Sequence, residues 1–583
     1  MANISLACWG LEENPYASDA TAAAASVSAS SPNTSNINSA TAQIPEWKSR
    51  ARKHREYQQS LIVPEWRIDP SQVDLSDPQN TIHVVETHLS PEEREITALD
   101  QTLSSLQSAV RSRRYSAVQV TRAFCHRAAL LQQLTKCLTE VFFESALQTA
   151  REQDEYFSRT GEFIGPLHGI PLSIKDNHMI KGVDTTMGWV AMVGKPADED
   201  HPGVAQYRKL GAIFYCKTNL PQSMMMSDSY NHLYGQSVNS LDRRYISGGS
   251  SGGEAALIGA GGSIVGIGTD IGGSVRIPAA LQGLYGLSPT IGRFPNAESR
   301  KGSKYIVPPV AGPMTRDLAS LESFMNTYIS SEPWTSDPGI HPILWRHDQI
   351  SSTTNRPLRI AYLTDDGAVR CHPPIVRAVL ETISKLTRAG HECISWNDHA
   401  ATLHARAYDL WLKAVLADGG SRMQALQDMI SEPLIPGMLV GQPHHHLSLD
   451  ARIALADDIF ALQHEYLHLW HSLNLDALIA PVTQWVALKP KMWVQADMYV
   501  GYTSFVNLVN WTSLAVPAGR VDRDKDSPDE EWREHKPRSE SDRYNHAHYD
   551  VEAYEGLPVG VQIVTGRFGE EKACAIARIL DGL

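Results

Sequence analysis

The chain has 583 residues, of which 42% are apolar and 20% charged, and a formal net charge of −13. Those proportions allow a sizeable core and argue against a disordered or membrane-embedded protein. The negative balance argues against nucleic acid and anionic lipid as partners, because no basic run with interleaved aromatics offsets it locally.

No uninterrupted apolar run reaches membrane-spanning length, so no stable membrane anchor is expected. Seven cysteines (Cys8, Cys125, Cys137, Cys216, Cys371, Cys393, Cys574) are scattered without CxxC spacing, which predicts reduced thiols and a cytoplasmic location. Residues 1–45 contain Glu12, Glu13 and Asp19 but no Lys or Arg, unlike a secretory signal or transit peptide. Their Ala, Ser, Thr and Asn content predicts a disordered tail.

A helical N-terminal arm is expected over 46–95, beginning with WKSRARKHREYQQ. Near its end, Ser90-Pro91-Glu92-Glu93 reads as a helix start: an N-cap serine, proline at the first helical position and acid in the first turn. Ser116 reads as the cap of a longer helix in which Val120, Phe124, Ala128 and Leu131 keep helical spacing. After a second helical stretch, Gly165-Pro166-Leu167-His168-Gly169 breaks the pattern ahead of an apolar strand, Ile170 to Ile174, which delivers Lys175.

AIFYCKTNLPQS, SIVGIG and LRIAYL read as further buried strands in an α/β rhythm, and ALIAPV and LPVGVQIV as later ones. Between them, residues 398–474 predict a helical insertion or cap. Residues 522–555 are polar and alternately charged, and predict a solvated surface insertion between two strands. The expected fold is therefore α/β: a single large domain over 96–583, with a central mixed sheet surrounded by helices.

The densest signal runs from Tyr245 to Thr290, YISGGSSGGEAALIGAGGSIVGIGTDIGGSVRIPAALQGLYGLSPT. So much glycine needs a reason, such as left-handed turns or backbone held close to a ligand. Ser250-Ser251 lies between glycine pairs, and Ser274 follows Asp270-Ile271-Gly272-Gly273, where unencumbered N–H groups can converge on a developing oxyanion. That pattern indicates acyl transfer. The tract lacks GxxxxGK[ST], and its GxGxxG-like fragments follow from glycine abundance alone, so no nucleotide cofactor is expected.

Amide hydrolysis needs a nucleophile, a base, oxyanion donors and an acid for the departing amine. Ser274 has no histidine within its segment, which directs attention to Lys175, directly after its apolar strand. Burial disfavours the ammonium form, so a lysine there can act as a neutral base.

The tract GGSSGGEAALIGAGGSIVGIGTDIGGSVRIPA and the segment HGIPLSIKDN resemble the amidase signature family, a likeness extended by KTNLPQSM, LYGLSPTIGR and LPVGVQIV. WKSRARKHREYQQSLIVPEWRI is similar to the extension of fungal acetamidase-type members. The resemblance implies a Ser-cisSer-Lys triad and an acyl-enzyme. Ser274 is the implied nucleophile and Lys175 the base. The family's bridging serine lies 24 residues before the nucleophile, which selects Ser250 over Ser251. The resemblance further implies an oxyanion hole from the N–H groups of Ile271, Gly272, Gly273 and Ser274, a cis peptide between Gly249 and Ser250, an Asp270–Arg276 ion pair bracing the turn, and a hydrogen bond from Ser251 within the triad. Met224, Met225, Gly249 and Trp511, together with Tyr502, are the implied substrate contacts.

Two other readings compete. His464-Glu465-Tyr466-Leu467-His468, with His471 on the same helical face, matches the HExxH zinc motif. HExxH is short and the chain holds 23 histidines, so no metal is expected; His444-His445-His446 reads as a loop with adventitious metal affinity. The family also contains amidotransferase subunits that act with partners. The long N-terminal extension favours a free-standing amidohydrolase acting on a small-molecule amide, with a homodimer compatible with the sequence; a zinc hydrolase or catalytically idle binding protein is the minor alternative.

Overall fold

The computed structural model describes residues 44–295, 306–494 and 499–583, apart from 70, 72, 73 and 75. The tail expected over residues 1–45 lies, save for 44 and 45, outside the described residues. The strands in chain order are β1 (Leu138–Val141), β2 (Pro171–Lys175), β3 (Ile213–Thr218), β4 (Tyr230–Asn231), β5 (Gly235–Gln236), β6 (Gly266–Asp270), β7 (Tyr285–Ser288), β8 (Val310–Thr315), β9 (Arg359–Tyr362), β10 (Glu392–Ser395), β11 (Ala477–Pro481), β12 (Thr512–Arg520) and β13 (Pro558–Thr565).

Eleven of them form one mixed sheet in the order β1-β3-β2-β6-β8-β7-β12-β13-β11-β9-β10, and β4 and β5 pair separately. Parallel runs at β3-β2-β6 and β11-β9-β10 flank an antiparallel centre. Helices surround the sheet, giving the expected α/β class with a continuous apolar core. Among the described residues no helix is long and apolar enough to cross a membrane.

Strand alternation explains how a lysine reaches the interior. Every residue of β2 is buried. Leu172 and Ile174 take one face, so Ser173 and Lys175 share the other. That face meets the helix Gly252–Gly259, where the Ser173 hydroxyl donates to Glu254. Glycine in β6 makes room for the carboxylate: a Cβ on Gly266 would lie 1.9 Å from Glu254 Oε1. The glycine and proline in β8 weaken its sequence signal as a strand.

Two stretches outside the sheet bear on the site. Between β10 and β11 the chain forms the helices Asn397–Leu416, Ser421–Ile430 and Leu449–Ser472. Residues 522–555 are not an open loop. They fold into four short helices, because aromatic residues among the charges provide anchors: Trp532, Tyr549 and Tyr554 all pack against His372. At the other end of the chain, the helix Glu46–Ser60 docks beside β1, where His54 Nε2 lies 2.9 Å from Glu140 Oε1 and Gln58 also reaches that carboxylate.

A buried ion pair ties β2 to β3. Lys217 Nζ lies 2.7 Å from Asp176 Oδ1, and both side chains are fully buried. Removing one partner of such a pair strands the other charge at a cost of about 3–5 kcal/mol. Asp176→Ala is expected to lower stability to chemical denaturation by about that amount, and Asp176→Ala with Lys217→Met to recover most of it. A double variant no more stable than the single one would show that the pair's charge balance is not what holds this edge.

Candidate active site

Lys175 Nζ is wholly buried and donates to Ser250 Oγ at 2.7 Å and to Thr269 Oγ1 at 3.0 Å. Burial brings its amine down to about 7, although Asp270 and Glu254 pull the other way. Burial likewise pushes Glu254 up to about 7, against donors from Ser173 and Thr218. The peptide between Gly249 and Ser250 is cis.

Asp270 ends β6 and anchors the loop that carries Ser274. Burial pushes its carboxyl up, but the Arg276 guanidinium beside it, with further donors, outweighs that and holds it at about 2. Arg276 binds it through Nη2 at 2.9 Å and Nε at 3.1 Å, while Gly273 N–H, Val275 N–H and Asn507 Nδ2 also donate to it. Arg276 continues to Gln562 of β13 and to Asn507 and Thr503 in the helix Gly501–Val509. Gly273 takes φ 124°, and a Cβ there would lie 2.4 Å from Thr503 Oγ1, so this turn requires glycine.

The loop therefore differs from the expectation in one donor. Gly273 N–H is committed to Asp270 at 2.8 Å, which leaves the N–H groups of Ile271, Gly272 and Ser274 without an acceptor among the described residues. Ser251 also differs. Its hydroxyl bonds the backbone of Thr269, accepting from N–H at 3.3 Å, and takes no part in a contact with Lys175 or Ser274.

Ser250 and Ser274 line one cavity of about 410 Å³, together with Thr269, Asn177, Met224 and Met225. Ser251 N–H donates to the Ser274 carbonyl at 3.2 Å, which fixes the two loops against each other; the hydroxyls of Ser250 and Ser274 make no mutual hydrogen bond. Gly249 is not on the cavity wall; a Cβ there would approach Asp228 N and O to 2.5 Å. Trp511 is also displaced, since it packs on Trp470 and Tyr466 behind the site, and the Tyr502 hydroxyl donates to Val369 O at 2.7 Å. Large buried aromatics served the core here, and no local pattern distinguishes that role from substrate contact.

The zinc motif falls on the surface. His464, His468 and His471 are exposed on the helix Leu449–Ser472, and Glu465 is held by Arg406 at 2.6 and 2.8 Å. Thr269, Asn507 and Trp411 are site residues that sequence reading missed. Thr269 directly precedes Asp270 at the end of β6, a placement parallel to that of Lys175 on β2. Asn507 and Trp411 reach the loop from more than 100 residues away and carry no local signal.

Comparison with known proteins places the chain in a family. The family model described as Amidase matches residues 119–574. An acetamidase of Emericella nidulans is 35% identical over 548 residues, covering 91% of this chain and 97% of its own. Amidase 2 of Gibberella moniliformis is 36% identical over 479 residues, 80% and 88% of the two chains. Among solved structures, a fatty acid amide hydrolase superposes with a TM-score of 0.85 at 32% identity, over 92% of this chain and 95% of that one. The 6-aminohexanoate cyclic dimer hydrolase, at 20% identity and a TM-score of 0.65, shares the fold.

Fold and sequence thus define an amide-hydrolysing enzyme. The chain belongs to the amidase signature family, whose model spans residues 119–574.

Thr269 offers a direct check on the lysine environment. Thr269→Val removes one of the two hydrogen-bond partners of Lys175 Nζ, a loss of about 1 kcal/mol. Amide hydrolysis is expected to fall about fivefold in kcat/KM with the thermal unfolding midpoint nearly unchanged. An unchanged rate would remove Thr269 from the site.

Proposed function

We propose that the chain hydrolyses carboxamides to a carboxylic acid and ammonia or an amine through an acyl-enzyme on Ser274, with Ser250 and Lys175 as the proton relay. The observation that carries this reading is the 2.7 Å contact between a buried Lys175 Nζ and Ser250 Oγ. A neutral amine takes a proton from Ser250 as Ser250 takes one from Ser274. Ser274 Oγ then attacks the amide carbonyl, and the oxyanion is met by the N–H groups of Ile271, Gly272 and Ser274.

Collapse of the tetrahedral intermediate breaks the C–N bond. Ser250 donates its proton to the departing nitrogen and is resupplied by Lys175, the same relay run backwards. Water then enters, loses its proton along that route and releases the acid. The two serine hydroxyls must close on each other when substrate binds, a tightening common at sites without their substrate.

The shared wall of the cavity supports that closure. Coverage of 91% of the chain by a protein named for acetamide cleavage favours a free-standing hydrolase over an amidotransferase subunit. The cysteines at 125, 137, 216, 371, 393 and 574 are unpaired thiols, which supports a cytoplasmic setting.

Ser274→Ala is expected to reduce turnover of a simple amide by about 10³-fold or more, and Lys175→Ala by about 10²–10⁴-fold, with folding retained in both. Mass spectrometry of the wild-type chain quenched during turnover is expected to find the substrate's acyl group on Ser274. An adduct elsewhere, or undiminished activity in Ser274→Ala, would refute the nucleophile.

A further inference from the structure

The helix Glu46–Ser60 closes a second cavity, which shares no lining residue with that of Ser250 and Ser274. It has a volume of about 80 Å³ and lies between that helix, the end of the helix Ala117–Thr135 and β1. At roughly 10–15 Å³ for each water-sized group, it takes about six such groups.

The charges around it are unbalanced. Arg52, Arg55 and Lys136 line it against one carboxylate, Glu56, which is exposed and lies 3.9 Å from Arg52. Burial depresses the basicity of Arg55, and Glu56 offsets that only in part. Glu140, next to Thr139 on β1, is engaged elsewhere, by His54, Tyr234 and Gln58.

Two buried polar atoms of the lining residues also lack a hydrogen-bond partner among the described residues. Arg55 Nη1 donates to the carbonyls of His232 at 3.0 Å and Leu233 at 2.7 Å, which fixes the guanidinium, while its Nε has no acceptor. Thr139 is 1% exposed, and its Oγ1 has no partner. A buried donor left unpaired costs about 1–3 kcal/mol, which a ligand oxygen within reach relieves. A guanidinium anchored through Nη1 keeps its Nε edge for a carboxylate, the planar group that matches it. Ile62, Val141 and Tyr234 supply an apolar wall.

We propose that this cavity is a second binding site, for a short aliphatic monocarboxylate of about six heavy atoms. Its carboxylate is met by Arg55 Nε and Thr139 Oγ1 and its tail by Ile62 and Val141, so that the ligand fastens the helix Glu46–Ser60 to β1. Acids are what the hydrolysis proposed above releases, but occupancy of the site does not depend on that reaction.

The test uses n-butyrate on the full chain and on Ser274→Ala, at matched ionic strength. Amide hydrogen exchange over residues 46–62 is expected to slow at least about threefold at about 20 mM butyrate in both, because the ligand must leave before the helix opens. Neither n-butanol, which has the tail without the charge, nor sulfate, which has charge without the tail, is expected to slow it.

Thr139→Val, which keeps the side chain's shape, and Arg55→Lys, which keeps its charge, are each expected to weaken butyrate binding about fivefold or more by isothermal titration and to lose most of the protection. Both should hydrolyse amides at the wild-type rate, which guards against a fold defect. No slowing over residues 46–62, slowing confined to the peptides around Ser250 and Ser274, equal protection by sulfate, or protection undiminished in both variants would overturn the proposal while leaving amide hydrolysis standing.

Discussion

A lysine amine in the interior of a sheet carries either a partner charge or no charge at all, and two lysines on adjacent strands of this protein take the two solutions. Lys217 on β3 meets the Asp176 carboxylate at 2.7 Å. Lys175 on β2 meets two hydroxyls instead, Ser250 and Thr269. The charges of Asp270 and Glu254 only partly offset its burial, because Glu254 is itself pushed towards its neutral form and Asp270 is engaged by Arg276. Desolvation therefore decides the balance, and the amine titrates at about 7 rather than in the ordinary lysine range.

The rest of the site keeps that balance in place. Asp270 is the hub: its carboxylate organises the turn through Gly273 and Val275, and Arg276 carries the connection across the sheet to Gln562 and out to the helix Gly501–Val509. The loop that carries Ser274 is thus held from three directions. Preorganisation of that kind is where most oxyanion stabilisation comes from, since dipoles already oriented need no rearrangement during reaction.

Much of this was legible in the chain because the decisive residues are local. The glycine and serine tract places Ser250, Asp270, Ser274 and Arg276 within 27 residues, and the apolar strand before Lys175 predicts its burial. What the sequence hid was tertiary. Nothing near Trp411 or Asn507 signals that they reach the loop, and nothing near Trp511 signals that it packs away from the cavity. Gly273 shows a subtler failure, for an N–H that looked free for an oxyanion is taken by the carboxylate three residues earlier. The four short helices over 522–555 were masked by charge, although their tryptophan and tyrosines were the anchors.

The claim on which all of this depends is that Lys175 is a neutral base near physiological pH, set by burial. The most direct measurement is the second-order rate at which a fluorophosphonate labels Ser274, followed from about pH 5 to about pH 10. Because only the unprotonated amine activates the serine, the rate should rise about tenfold per pH unit below about 7 and level off above it. A rate independent of pH over that range, or one still climbing towards the ordinary lysine value of about 10.4, would contradict the account.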